Sequence, residues 1–248
     1  MLEQVVNYCR DRLLNFYDAT GARDYIDSRL SRLGQEHFSF GYFPTNQNLQ
    51  HMIEYIGEDN LAELNLIFDK FDGGLMQQKN RYSPLENHNL IMPYKDVYGN
   101  IIAIVGRSIL SDQERRERKI SKYKNTSFSK GSHLFGLFEA KKSIIANDIA
   151  YVVEGQFDCI SAHDKGLINI VALGGSNMSF DQFSLLMRYT NNIMLLLDND
   201  DAGRLGSEKI IRMFSDKANI KIGKLPTLYK DLDEFLSENG TDSVKLLI

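Results

Sequence analysis

The chain has 248 residues, 43% hydrophobic and 25% charged, the balance of a globular protein with one large domain or two small ones. No apolar run approaches the roughly 18 residues that span a bilayer, and Met1-Leu2-Glu3-Gln4 does not open a secretory signal. Two cysteines, Cys9 and Cys159, suit a reducing compartment and are too few and too far apart for a zinc module, while a formal net charge of −4 excludes a basic nucleic-acid coat.

Leu2, Val5, Val6, Cys9, Leu13, Phe16 and Tyr17 recur at helical spacing and predict an amphipathic first helix. A second helix is expected over 22–33, with Gly34 as its stop. A strand is expected over 38–42, and helices over 49–56 and 61–68. Leu90-Ile91-Met92-Pro93 and Ile101-Ile102-Ala103-Ile104-Val105 read as paired strands joined through Tyr98-Gly99-Asn100.

After about residue 147 the pattern changes. Short apolar runs over 150–153, 168–173 and 193–197 alternate with helical stretches, the signature of parallel strands buried on both faces. Ser179-Phe180-Asp181-Gln182 is a capping box opening one of those helices. The expected organisation is therefore a mixed α+β subdomain over 1–147, followed by a parallel-sheet α/β domain over 148–248.

Charge is distributed unevenly. Arg107, Arg115, Arg116, Arg118, Lys119, Lys122, Lys124 and Lys130 fall close together, whereas Asp198-Asn199-Asp200-Asp201 and Asp231-Leu232-Asp233-Glu234 follow downstream. Such a pair suits a site that holds a polyanion and divalent cations; on charge alone, two solvated loops of opposite sign are the other reading. Position adds more. Glu154 directly follows one predicted strand, with Gly155 to let the backbone turn and Asp158 one helical turn on. Asp198 directly follows another strand, with Asp200 two residues later. Ligand sites in open α/β sheets form beyond the carboxyl ends of the strands, so these acids are expected to meet there with Asp231 and Asp233. Converging carboxylates repel unless cations sit among them, and oxygen ligands select Mg²⁺ or Mn²⁺. No Gly-x-x-x-x-Gly-Lys-Ser/Thr is present, so a P-loop is not supported. Gly174-Gly175 reads either as a tight turn or as a close backbone approach to a ligand.

Tyr151-Val152-Val153-Glu154-Gly155-Gln156-Phe157-Asp158, Ala172-Leu173-Gly174-Gly175 and Asp198-Asn199-Asp200-Asp201-Ala202-Gly203-Arg204 together resemble the TOPRIM domain of bacterial-type (DnaG-like) primases. Upstream, Phe40-Gly41-Tyr42-Phe43-Pro44, Gly106-Arg107-Ser108, the stretch from Lys122 to Gly131 and Leu134-Phe135-Gly136-Leu137-Phe138-Glu139-Ala140 are similar to that family's motifs in the same order. The family's arginine-rich stretch ahead of the Leu90 strand is not matched, since only Arg81 stands near it. The family's flanking zinc-binding and C-terminal domains are not expected within this chain.

The resemblance implies a Rossmann-like TOPRIM domain and RNA primer synthesis on single-stranded DNA from ribonucleoside triphosphates. It implies two Mg²⁺ or Mn²⁺ ions and no zinc in this chain. Catalytic roles fall to Glu154, Asp198 and Asp200, with metal ligands drawn from these and from Asp158, Asp231 and Asp233. Arg107, Lys122, Asn125 and Lys130 are the implied nucleotide and template contacts. Expected partners are the template, the nucleotides, the RNA primer product and a replicative helicase or separate zinc-binding initiation partner, with no membrane and a cytoplasmic setting. A TOPRIM metal-dependent nuclease and a weakly active nucleic-acid-binding module of a replisome are the alternatives.

Overall fold

The computed structural model describes residues 1–71, 79–229 and 231–247. Packing divides the chain into one unit of Met1–Tyr94 with Ile101–Phe128, and a second of Lys95–Asn100 with Ser129–Ile248. Among the described residues no helix is long and apolar enough to cross a membrane.

In the first unit, α1 (Leu2–Asn15) turns Val5, Val6, Cys9 and Leu13 of the expected stripe inward, whereas Phe16 and Tyr17 lie beyond its end and are exposed. The single helix expected over 22–33 is two, α2 (Thr20–Asp27) and α3 (Arg32–His37). The break arises because Ser31 caps the second helix by accepting from the Gly34 N–H at 3.2 Å, which puts Gly34 inside α3 rather than at a stop. Of the strand expected over 38–42, only β1 (Gly41–Tyr42) forms. A Cβ on Gly41 would come within 2.7 Å of the Cys9 Cβ, so glycine lets this strand lie directly on α1.

Next, α4 (Leu49–Ile56) matches its predicted span, whereas α5 (Glu58–Glu63) ends early. Phe68 instead opens β2 (Phe68–Phe71), which pairs antiparallel with β3 (Lys79–Tyr82); Phe68 stacks on its cross-strand partner Tyr82 with ring centres 6.2 Å apart. β4 (Leu90–Lys95) and β5 (Ile101–Arg107) are the predicted paired strands. Then α6 (Asp112–Glu117) starts at a Ser111–Glu114 capping box and leads to β6 (Tyr123–Asn125). The sheet order is β1-β4-β5-β6, and a core including Val5, Phe43, Leu49, Met52, Leu61, Ile91 and Ile104 lies against it.

The second unit begins with the turn 95–100 and with α7 (Leu137–Asn147), to which the turn is tied by a Lys95–Glu139 ion pair at 2.8 Å. There follow β7 (Ala150–Val153), α8 (Gln156–Asp164), β8 (Ile170–Ala172), α9 (Phe180–Leu186) and β9 (Asn192–Leu195). The unit closes with α10 (Asp201–Phe214), β10 (Asn219–Ile222) and α11 (Leu232–Asn239). All four strands run parallel in the order β10-β9-β7-β8. Ala150, Val152, Val171, Ile193 and Leu195 share one core with residues of α7, α9 and α10, while α8 packs on β7 and β8 with α11 against it. A mixed α+β region thus precedes a parallel-sheet region, as the sequence predicts. The packing, however, divides earlier than residue 147. Leu137, Ala140 and Ile144 of α7 are buried in the parallel-sheet core, and Phe135 bridges to Ala172 of β8, which draws residues 129–147 into the second unit.

Candidate active site

The chain runs from β7 through α8 to β8 on one side, then crosses back through α9 to β9 on the other side of β7. The ends of β7 and β9 therefore flank a topological switch point, where α/β sheets open a crevice. Glu154 leaves β7 there, its carbonyl accepting from Gly174 N–H at 2.8 Å. Its Oε1 accepts from the Asp198 N–H at 3.4 Å, which fixes the two strand-end loops side by side. Asp200 caps α10 through Gly203 N–H at 2.9 Å.

The electrostatics follow from this crowding. Glu154 is pushed from the ordinary glutamate value of 4.5 up to about 7, first by burial and then by the negative charges of Asp198 and Asp200, against the opposing pull of the Asp198 N–H. A Cβ at Gly203 would meet the Asp198 carbonyl at 2.1 Å and Glu154 Oε1 at 2.9 Å, so the first turn of α10 is bare backbone where it faces the acids. A cleft of about 840 Å³ adjoins them, lined by Asp198, Asn199, Asp200, Lys224 and Thr227 among others. Asp158 stands in the first turn of α8 with its carboxylate folded over Gly155. Lys130 comes to the same strand ends, donating from Nζ to the Gly174 carbonyl at 2.7 Å.

The expectation that six acids gather at one point is corrected. Among the described residues, no three His, Cys, Asp or Glu side chains are close enough to share one ion. Asp231 caps α11 by accepting from Glu234 N–H at 3.1 Å, and Asp233 forms an ion pair with Lys165 at 2.8 Å. A Mg²⁺ ion could still be held by one or two of Glu154, Asp198 and Asp200, completing its shell with water and substrate phosphates. A divalent charge would also relieve the repulsion that raises Glu154.

Three cations of the first unit, Arg107, Arg29 and Lys122, lie over tyrosine rings. Arg107, placed by the sequence among the nucleotide contacts, is only 5% exposed. Its Nε donates to the Tyr25 hydroxyl at 2.8 Å and its Nη1 to the Tyr123 hydroxyl, and the guanidinium sits 5.4 and 5.2 Å from the two ring centres. Arg29 lies 5.0 Å from the Tyr25 ring and Lys122 5.8 Å from the Tyr123 ring, which extends the alternation of cation and ring outward to exposed ends. Asn125 on β6 has a buried side-chain oxygen with no hydrogen-bond partner among the described residues. Arg81 is paired with Glu58 at 2.5 Å.

The family model for the DNA primase catalytic core, N-terminal domain, matches residues 10–141, and a Toprim-like model matches 151–236. The DNA primase of Aquifex aeolicus is 31% identical over the whole of this chain, which spans 48% of that relative's length. The crystal structure of the zinc-binding and RNA polymerase domains of Aquifex aeolicus primase superposes with a TM-score of 0.82 at 29% identity, covering 99% of this chain and 59% of that one. A DNA primase domain from Pseudomonas aeruginosa gives 0.81 at 26% identity, covering 100% of this chain and 76% of that one. The chain belongs to the DnaG-type DNA primase family.

Within this primase fold, sequence reasoning missed Tyr25, Arg29 and Lys165. Tyr25 and Arg107 are 82 residues apart, and no local pattern links them. Lys165 follows α8 as an isolated cation with no motif around it. His163 and Cys159 are buried: His163 Nε2 lies 3.0 Å from the Ile170 carbonyl, and burial raises the Cys159 thiol far above its ordinary range.

Proposed function

We propose that the chain is a primase catalytic core that joins ribonucleoside triphosphates into a short RNA primer on single-stranded DNA. The observation that carries this reading is the meeting of Glu154 with Asp198 at the switch point, where β7 and β9 end side by side and the Asp198 N–H donates to Glu154 Oε1. General acid–base groups work best when their pKa lies near the working pH, and Glu154 is suited to take the proton of an attacking 3′-hydroxyl. Glu154, Asp198 and Asp200 would hold two divalent ions, Mg²⁺ or Mn²⁺, with Asp158 and Asp231 as further candidates. Such ions, when bound, polarise the α-phosphate and neutralise the departing pyrophosphate.

Lys130, held at the strand ends through Gly174, would orient the triphosphate. Lys122 would take template phosphates, and Asn125 would offer its unpartnered oxygen to a nucleotide donor. Arg107 is assigned a positioning role: clamped between Tyr25 and Tyr123, it fixes the strand that carries Asn125 and adjoins Lys122. A replicative helicase, or a separate zinc-binding initiation module, and a cytoplasmic setting belong to the same reading.

The test is incubation with single-stranded DNA, labelled ribonucleotides and Mg²⁺ or Mn²⁺, for wild type, Glu154→Gln and Asp198→Asn. Short RNA from wild type and none from either variant supports priming. Shortened DNA would redirect the reading to a nuclease, and binding without product to a binding module.

A further inference from the structure

Helices α8 and α11 pack against each other in the second unit. Across that contact Lys165 Nζ donates to Asp233 Oδ1 at 2.8 Å, to Ser161 Oγ at 2.6 Å and to Ser237 Oγ at 3.0 Å, with the Asp233 carbonyl at 3.5 Å. An ammonium has three donors, and these three side-chain oxygens match them. Ser161 in turn donates to the same Asp233 oxygen, and Ser237 donates to the Asp233 carbonyl at 2.7 Å. The cation is thus enclosed in oxygens drawn from both helices, much as a small bound metal ion would be. The side chains of Lys165 and Asp233 are 25% and 24% exposed, so their attraction is screened less than that of a surface pair.

We propose that Lys165 is a built-in cation that takes the place of a divalent ion at Asp233. Asp233 then anchors α11 on α8, and ion binding is left to Glu154, Asp198 and Asp200, with Asp158 and Asp231 as the further candidates. A divalent ion approaching Asp233 would have to displace an ammonium with three hydrogen bonds, or sit beside it against like charge, and both are unfavourable. The inference rests on the ion-binding reading of the strand-end acids given above.

Mn²⁺ binding to the full 248-residue chain tests it without recourse to activity, with free Mn²⁺ counted by electron paramagnetic resonance. Asp198→Asn is expected to weaken Mn²⁺ by about tenfold or more, as loss of a ligand should. Asp233→Asn, which keeps an oxygen for Ser161 and Lys165, is expected to bind the same number of ions with a Kd within about twofold of wild type. In Lys165→Met the ammonium no longer competes at Asp233, and Mn²⁺ should raise the melting temperature of this variant more than that of wild type. If Asp233→Asn weakens Mn²⁺ as much as Asp198→Asn does, or if Mn²⁺ stabilises Lys165→Met no more than wild type, the proposal is overturned. The two arms are independent, so an unfolded Lys165→Met leaves Asp233→Asn to decide. Absence of Mn²⁺ binding in wild type, or unchanged binding in Asp198→Asn, would instead sink the ion-binding reading itself.

Discussion

In the second unit Glu154 and Asp198 stand where buried parallel strands end, whereas in the first unit Arg107, Arg29 and Lys122 stand on tyrosine rings. Glu154 and Asp198 owe their meeting to the backbone: β7 and β9 are hydrogen-bonded neighbours, so whatever follows them is adjacent. Arg107, Lys122 and Arg29 owe their placement to side chains, through Tyr25 and Tyr123. The difference teaches that a carboxylate at a strand end keeps its position when a neighbouring side chain changes, while a cation on a ring keeps it only as long as the ring stays.

The largest expected effect sharpens this contrast. Glu154→Gln leaves the backbone of the strand ends intact, so primer synthesis should fall about 100-fold or more while the melting temperature does not drop. Next, Arg107→Ala removes the cation between two rings and leaves two tyrosine hydroxyls without their donor, which should cost about 2–3 kcal/mol in urea unfolding. Arg107→Lys should restore only part of this, because an ammonium lacks the planar fork that reaches both hydroxyls. An Arg107→Ala chain as stable as wild type would break the comparison.

A smaller effect concerns pH. In the ion-free fold Glu154 keeps its proton up to about 7, against 4.5 for an ordinary glutamate. Between those values the folded chain binds a proton that the unfolded chain has lost, so stability falls as pH rises through this window and the loss is complete above 7. Glu154→Gln should therefore stabilise the chain by about 1 kcal/mol at pH 8 in chelator, and hardly at all near pH 5. The smallest effect is at Lys122→Ala, where stability should stay within about 0.5 kcal/mol. There the slope of log affinity for single-stranded DNA against log salt should shrink by about 0.7, one phosphate contact.

Much of the second unit was legible because parallel strands announce themselves as apolar runs and because Ser179 and Gln182 mark a helix start locally. β10 was not legible: it is an edge strand with three of its four residues exposed, so no apolar run marks it. In the first unit the hairpin of β2 and β3 was not legible: only Phe68 fell in an expected element, as the end of a helix over 61–68, because its pairing with Tyr82 spans 14 positions and leaves no local period. The candidate acids could be named from their strand ends, yet their number at one point could not. Asp231 and Asp233 lie in one Asp-x-Asp, and only the packing of α11 on α8 turns one into a helix cap and the other towards Lys165. Likewise Arg107 reads as a nucleotide contact, and only the fold shows it buried between Tyr25 and Tyr123.

The bare first turn of α10 has a practical consequence. Alanine normally favours a helix over glycine, by about 1 kcal/mol, yet at position 203 its methyl group would strike the Asp198 carbonyl. In a saturation library selected for replication, this codon should return glycine almost alone, while the exposed neighbours Leu205 and Glu208 tolerate broad replacement. A tolerance map along a single helix would then trace the edge of the acid-lined crevice by genetics.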